Sequence, residues 1–100
     1  MHIEYDPIKN QKNIEERGLP FAMAVDFDFT TALIWQDTRK PYPETRYSSL
    51  GLIDNRLYAL VFCEVDLGIR IISFRKANQR ECKKYDQFSH QTQRPWGGGL

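Results

Sequence analysis

The sequence predicts an α+β domain, with a mostly antiparallel sheet, two helices near the start on one face and a third helix at the end. Three observations carry this reading. The chain has 100 residues, and single domains typically run about 100–150. Three consecutive strand-like stretches lie between Arg46 and Lys76, joined by connections too short for a parallel crossover. An Asp-Pro start and a Gly stop bracket a polar stretch ahead of them, which is how a helix is punctuated. The predicted order is β-α-α-β-β-β-β-α in two layers.

Each element has its own signal. His2-Ile3-Glu4-Tyr5 alternates polar and apolar, as a short strand with one buried face does. Asp6 can cap the following helix, and Pro7 at its first position gives up no needed donor. That helix runs to about Arg17, where Gly18 is the expected left-handed stop. Its only apolar residues are Ile8 and Ile14, so its buried stripe is thin. Pro20 to Phe27 reads as a second short helix with Phe21, Ala24 and Val25 inward. Thr31 to Trp35 is β-branched and aromatic, hence a strand. Asp37 to Glu44 holds Pro41 and Pro43 and reads as a loop. Strands follow at Arg46–Leu52, Arg56–Glu64 and Gly68–Lys76, with turns at Asp54-Asn55 and at Asp66 to Gly68. Ala77 to Tyr85 is the last helix, and the domain spans residues 1–86. Residues 87–100, with Pro95 and three successive glycines, read as a flexible tail.

Composition narrows the chemistry. A chain this short buries only about two-thirds of its unfolded surface, so a ligand meets a surface or a shallow cleft. The formal charge of +1 is unevenly split. Residues 1–66 carry seven Lys/Arg against eleven Asp/Glu, whereas residues 67–100 carry seven against two. The basic end suits phosphate, although a basic helix face is more often just solvated. Cys63 and Cys82 form no CxxC pair, and with His2 and His90 they fit no zinc spacing. No apolar run has the length of a membrane span, and the N-terminus lacks a signal-peptide pattern. The chain reads as cytoplasmic and without cofactor or metal. It has no P-loop, GxGxxG, GxSxG or HExxH pattern, and only two histidines near its ends.

Arginine, lysine, glutamate and tyrosine remain. In Gly68–Lys76, strict alternation puts Ile69, Ile71, Ser73 and Arg75 on one face and Arg70, Ile72, Phe74 and Lys76 on the other. Arg75 beside small Ser73 can reach a cleft, or it can simply cover the core with its aliphatic stem. Arg46 opens a strand, Arg39 sits in the proline-rich loop, and Lys9 and Lys12 lie on the polar helix. Glu81 and Tyr85 are an i, i+4 pair on the last helix, where Glu81 is either a salt-bridge partner or a general base. Singly, none of these is specific.

Together they form a pattern. Tyr5-Asp6-Pro7-Ile8-Lys9 with Asn13, Gly18-Leu19-Pro20-Phe21, Asp26-Phe27-Asp28, Asp37-Thr38-Arg39-Lys40, Glu44-Thr45-Arg46-Tyr47 and Arg70 to Asn78 with Glu81 and Tyr85 resemble the BrnT family of toxins from type II toxin–antitoxin modules. The resemblance covers about residues 3–86. It implies a RelE-like fold, metal-free RNA cleavage, inhibition of translation and neutralisation by a BrnA-type antitoxin. It also implies an oligomeric complex that reaches operator DNA only through the antitoxin. Metal-free cleavage needs positioned cations around a phosphate, and arginine offers a fork that matches its oxygens. Under this reading Arg75 and Arg46 stabilise charge, and Lys9, Lys12, Arg17, Arg39 and Lys76 hold RNA. Glu81 is a base or orients Arg75, and Tyr85 stacks or donates a proton. The chain departs from the family at Glu16-Arg17-Gly18, where Lys-His-Gly is common. Arginine keeps its proton throughout the neutral range and is a poor proton shuttle. The alternative reading is therefore a weak or inactive toxin that still binds antitoxin as a co-repressor.

Overall fold

The computed structural model describes residues 1–93. The elements are β1 (His2–Glu4), α1 (Pro7–Arg17), a 3-10 helix (Phe21–Asp26), β2 (Leu33–Gln36), β3 (Tyr47–Ile53), β4 (Arg56–Val65), β5 (Gly68–Lys76) and α2 (Gln79–Gln93). They form the predicted α+β fold around one five-stranded sheet of order β1-β5-β4-β3-β2. Consecutive strands from β2 to β5 pair antiparallel, and β1 closes the other edge in parallel with β5.

Helix α1 forms as its punctuation dictates. The Asp6 carboxylate accepts the Ile8 amide at 2.8 Å, and Gly18 closes the helix at φ 65°, where its N–H donates to the Ile14 carbonyl. Ile8 is nevertheless exposed, and the residue that α1 buries is Asn13. Its Nδ2 donates to the carbonyls of Leu19 at 2.9 Å and Phe74 at 3.0 Å, while its Oδ1 accepts from Arg17. One polar side chain thus latches the helix to the end of β5. Asn10 holds the next segment, accepting the Phe21 amide at 2.8 Å. The expected second helix is a 3-10 helix. Met23 donates to the Pro20 carbonyl, Phe27 to that of Ala24, and Pro20 at the N-cap offers no side-chain acceptor. Six residues make too few i to i+4 bonds to sustain an α-helix, and so short a run takes the tighter 3-10 form.

Two apolar clusters lie on opposite faces of the sheet, as the alternation of β3 and β4 requires. Tyr58, Leu60 and Phe62 of β4 join Phe74, Ile71, Leu19, Phe21, Ala24 and Phe27 in the larger cluster. Leu50 and Ala59 face the other way and meet Tyr85, with Leu57, Leu52, Leu33 and Phe88 around them. Helix α2 therefore rests on the face opposite the 3-10 helix. It also continues past Tyr85, where the sequence reading ended it. Phe88 lies one turn on, its ring centroid 6.0 Å from that of Tyr85, and extends the same apolar stripe. The predicted tail beyond Gln93 lies outside the described residues.

Gly51 is required by packing. A Cβ there would sit 2.7 and 2.9 Å from Cε2 and Cε1 of the buried Phe27 ring and closer still to its Cζ. Gly51→Ala should therefore destabilise the fold by about 1–3 kcal/mol. Urea denaturation reads this as a lower midpoint at unchanged slope. An unchanged midpoint would mean that the ring swings aside freely.

Strand β5 departs from strict alternation. Val61 pairs with Ser73 but Phe62 pairs with Ile71, so Ile72 is an extra residue in a β-bulge. The bulge rephases the strand. Ile69 and Ile71 share a face with Phe74, while Arg70, Ser73 and Arg75 share the other. The face assignment read from the sequence was right for Ser73 with Arg75 and for Phe74 with Lys76, and wrong for Ile69, Arg70 and Ile71.

Candidate functional site

The bulge sets the floor of a cleft on the α2 side of the sheet. Register places Trp35 opposite Ser48, Ser48 opposite Val61, and Val61 opposite Ser73. The adjacent row runs Leu33, Leu50, Ala59, Arg75. The first row thus has small side chains between a tryptophan and a serine, and the second ends on an arginine. Over them lies a cleft of about 330 Å³, walled by Asp37, Arg39, Arg46, Arg75 and Glu81.

Arg75 is held from α2. Its Nη1 and Nη2 donate to Oε1 and Oε2 of Glu81 at 2.8 and 2.9 Å, a bidentate pair. Glu81 is itself fixed by a capping box. It accepts the Asn78 amide at 3.0 Å, and Asn78 Oδ1 accepts the Glu81 amide at 2.9 Å. The start of the helix thereby positions the arginine. Hydrogen bonding from Arg75 outweighs burial and holds the Glu81 carboxyl below its usual pKa of 4.5. Glu81 in turn raises the pKa of Arg75. The Arg75 side chain stays 38% exposed and lines the cleft.

Arg46 and Arg39 come from the loop between β2 and β3. Its ends are tied where the Asp37 amide donates to the Arg46 carbonyl at 2.7 Å. The Arg46 Nε donates to Glu44 at 2.7 Å, and its guanidinium lies 4.1 Å above the Tyr42 ring, flanked in sequence by Pro41 and Pro43. Arg39 grips Asp37 through Nε and Nη2, both at 2.8 Å. The loop encloses a further hollow of about 450 Å³ that shares Asp37, Arg39 and Arg46 with the cleft.

The Asp37 side chain is only 2% exposed, and the hydrogen bond from Arg39 pulls its pKa from 3.8 to about 2 despite burial. A lowered folded-state pKa contributes stability above the unfolded value, lost as pH falls through the folded one. Parent stability should therefore decline between about pH 4 and pH 2 more steeply than that of Asp37→Asn. Melting temperatures across that window check this, and parallel curves would remove Asp37 from the acid response.

A second cleft, of about 320 Å³, is lined by Lys9, Lys12, Arg17 and Glu16 of α1 and shares Ile72 and Ser73 with the first. The two meet at the bulge. Lys12 and Glu16 are a loose i, i+4 pair at 4.0 Å. The structure thus gathers Arg75, Glu81, Arg46 and Arg39 in one cleft and Lys9, Lys12 and Arg17 in the adjoining one. It does not bring Lys76 or Tyr85 there. Lys76 pairs with Tyr58 and so takes the face away from Arg75. Tyr85 is 8% exposed in the smaller core, its hydroxyl donating to the Thr31 carbonyl at 3.0 Å. The sequence reading placed Ser73 beside Arg75 but did not name Trp35, Ser48 or Lys84 as site residues. The Lys84 Nζ stands 3.9 Å from the Trp35 ring centroid. Its position one turn after Glu81 was a usable signal, since i and i+3 share a helix face.

Among the described residues, no helix is long and apolar enough to cross a membrane, and no group of three or more His, Cys, Asp or Glu is placed to hold a metal ion. No curated protein and no solved structure matches the chain significantly. The family model for the ribonuclease toxin BrnT of type II toxin–antitoxin systems matches residues 5–81, from the start of the α1 cap to the glutamate that holds Arg75. On that match the chain belongs to the BrnT family of ribonuclease toxins.

Proposed function

We propose that this BrnT-family toxin is a metal-independent endoribonuclease that acts in the cytoplasm and inhibits translation by cutting RNA. A BrnA-type antitoxin neutralises it within an oligomeric complex, and operator DNA is contacted through the antitoxin. The observation that carries the reading is the bidentate Arg75–Glu81 pair, fixed by a helix cap and facing Arg46 across one cleft.

In the reaction the 2′-hydroxyl attacks the adjacent phosphorus. The new P–O2′ bond forms as the P–O5′ bond breaks, leaving a 2′,3′-cyclic phosphate and a 5′-hydroxyl. Negative charge grows on the non-bridging oxygens, where Arg75 and Arg46 stabilise it. Lys9, Lys12 and Arg17 hold the backbone where it crosses the bulge, and Arg39 binds at the loop end. Glu81 serves as the positioning residue for Arg75 rather than as the base, because both its oxygens already accept hydrogen bonds. The proton of the 2′-hydroxyl passes to water, and water protonates the leaving oxygen.

The test is incubation of the purified protein with a long single-stranded RNA in EDTA. Cleavage leaving cyclic phosphate ends is the expected outcome. Intact RNA beside a folded protein would favour the second reading, an antitoxin-binding homologue without activity. That reading draws on the same pairing, since Arg39, Arg46 and Arg75 each already hold a carboxylate.

A further inference from the structure

Trp35 is a large aromatic on edge strand β2, yet it is 37% exposed and lines the cleft together with Arg46 and Arg75. Core packing does not account for its position. Its cross-strand partner is Ser48, and the same row continues through Val61 to Ser73. The ring therefore stands at one end of a floor with little side-chain bulk beside it. The Lys84 ammonium lies over the ring, 3.9 Å from its centroid, an attraction between cation and ring quadrupole that helps to hold the indole in place.

We infer that Trp35 is a base-stacking residue that makes the cleft selective for unpaired RNA. The open ring face takes a nucleobase, and the Lys84 ammonium lies within reach of that nucleotide's phosphate. Trp35 and Arg75 belong to adjacent rows at opposite sides of the cleft, three strand spacings of about 4.8 Å apart. The base on Trp35 is thus not the one on the reacting ribose but a neighbour along the strand. A base inside a duplex is stacked on both sides and has no face to offer, so the platform rejects helical RNA. Stacking tolerates any base, and the platform sets strandedness rather than sequence. The inference rests on the ribonuclease reading for its substrate class, but its test does not need cleavage.

The probe is a short single-stranded RNA with every 2′-hydroxyl methylated, which removes the nucleophile. In a Trp96→Phe background Trp35 is the chain's one tryptophan, and its fluorescence should be quenched saturably by the strand and not by the duplex of the same sequence. Trp35→Ala should weaken binding of the labelled strand, read by anisotropy, by about 10- to 100-fold, with Trp35→Phe in between. Trp35 left unquenched at saturation, or full affinity in a folded Trp35→Ala, overturns the inference. The quenching arm requires no change at position 35 and stands even if the alanine variant fails to fold. Binding that depends on Trp35 supports the inference whether or not RNA is cut. Cleavage undiminished in Trp35→Ala, with unquenched fluorescence in the parent, overturns it and leaves the ribonuclease reading intact.

Discussion

Replacing Arg75 with Ala is expected to slow RNA cleavage by about 10²–10³-fold, the usual loss when one donor to a developing oxyanion is removed. The fold should survive, because Arg75 sits at the mouth of the cleft and is 38% exposed. Lysine should not restore the rate. It brings the charge but not the planar fork that Glu81 holds in place. The companion variant Glu81→Gln separates positioning from proton transfer. Glutamine can still accept the Asn78 amide and keep the helix cap, while Arg75 loses the anion that orients it. A positioning role predicts a lower kcat with the shape of the pH profile retained. Its pKa is already held below 4.5, so Glu81 is ionised throughout the neutral range. A general base would instead impose an acid limb on the parent profile that vanishes in Glu81→Gln. Single-turnover rates from about pH 3.5 to 8, a window that reaches below the usual carboxylate pKa, tell the two apart, and full cleavage by a folded Arg75→Ala would sink the assignment of the site.

Replacing Asn13 with Ala is expected to be among the most damaging single changes to stability. Two carbonyls, of Leu19 and Phe74, lose the donor they share, and Arg17 loses its acceptor. A buried group left without its partner costs about 1–3 kcal/mol. For two carbonyls this makes about 2–4 kcal/mol after partial access of water, or a fall of roughly 10–20 °C in Tm for a domain of this size. Asn13→Asp should be no better, since it sets a carboxylate against both carbonyls. Thermal melts followed by circular dichroism check the magnitude. A fall under a few degrees would mean that α1 is held mainly by its other contacts. The latch joins α1 to β5 one residue before Arg75, so the same variant should also loosen the junction of the two clefts. Cleavage measured well below Tm should then fall further than in Gly51→Ala, whose damage is at Phe27, which lines neither cleft.

What was legible in the sequence is local. Asp6, Pro7 and Gly18 set the ends of α1 through backbone geometry and capping, and the strand patterns at 46–76 fixed three antiparallel strands because short turns leave no other arrangement. The resemblance in residues 3–86 anticipated the family that the match to residues 5–81 shows. Tertiary structure decided the rest. The bulge at Ile72 reversed the faces of half of β5, since one unpaired residue shifts every side chain beyond it and no residue type announces it. Tyr85 and Lys76 matched the pattern as site residues but point elsewhere. Only the docking of α2 shows that Tyr85 is needed to fill the smaller core. Trp35 went unread for the converse reason. A tryptophan in a strand is ordinarily core, and its exposure follows from β2 being the sheet edge and from serine standing opposite it. Short-range signals are written in neighbouring residues, whereas a cleft is made by strands and a helix that meet only after the chain has folded.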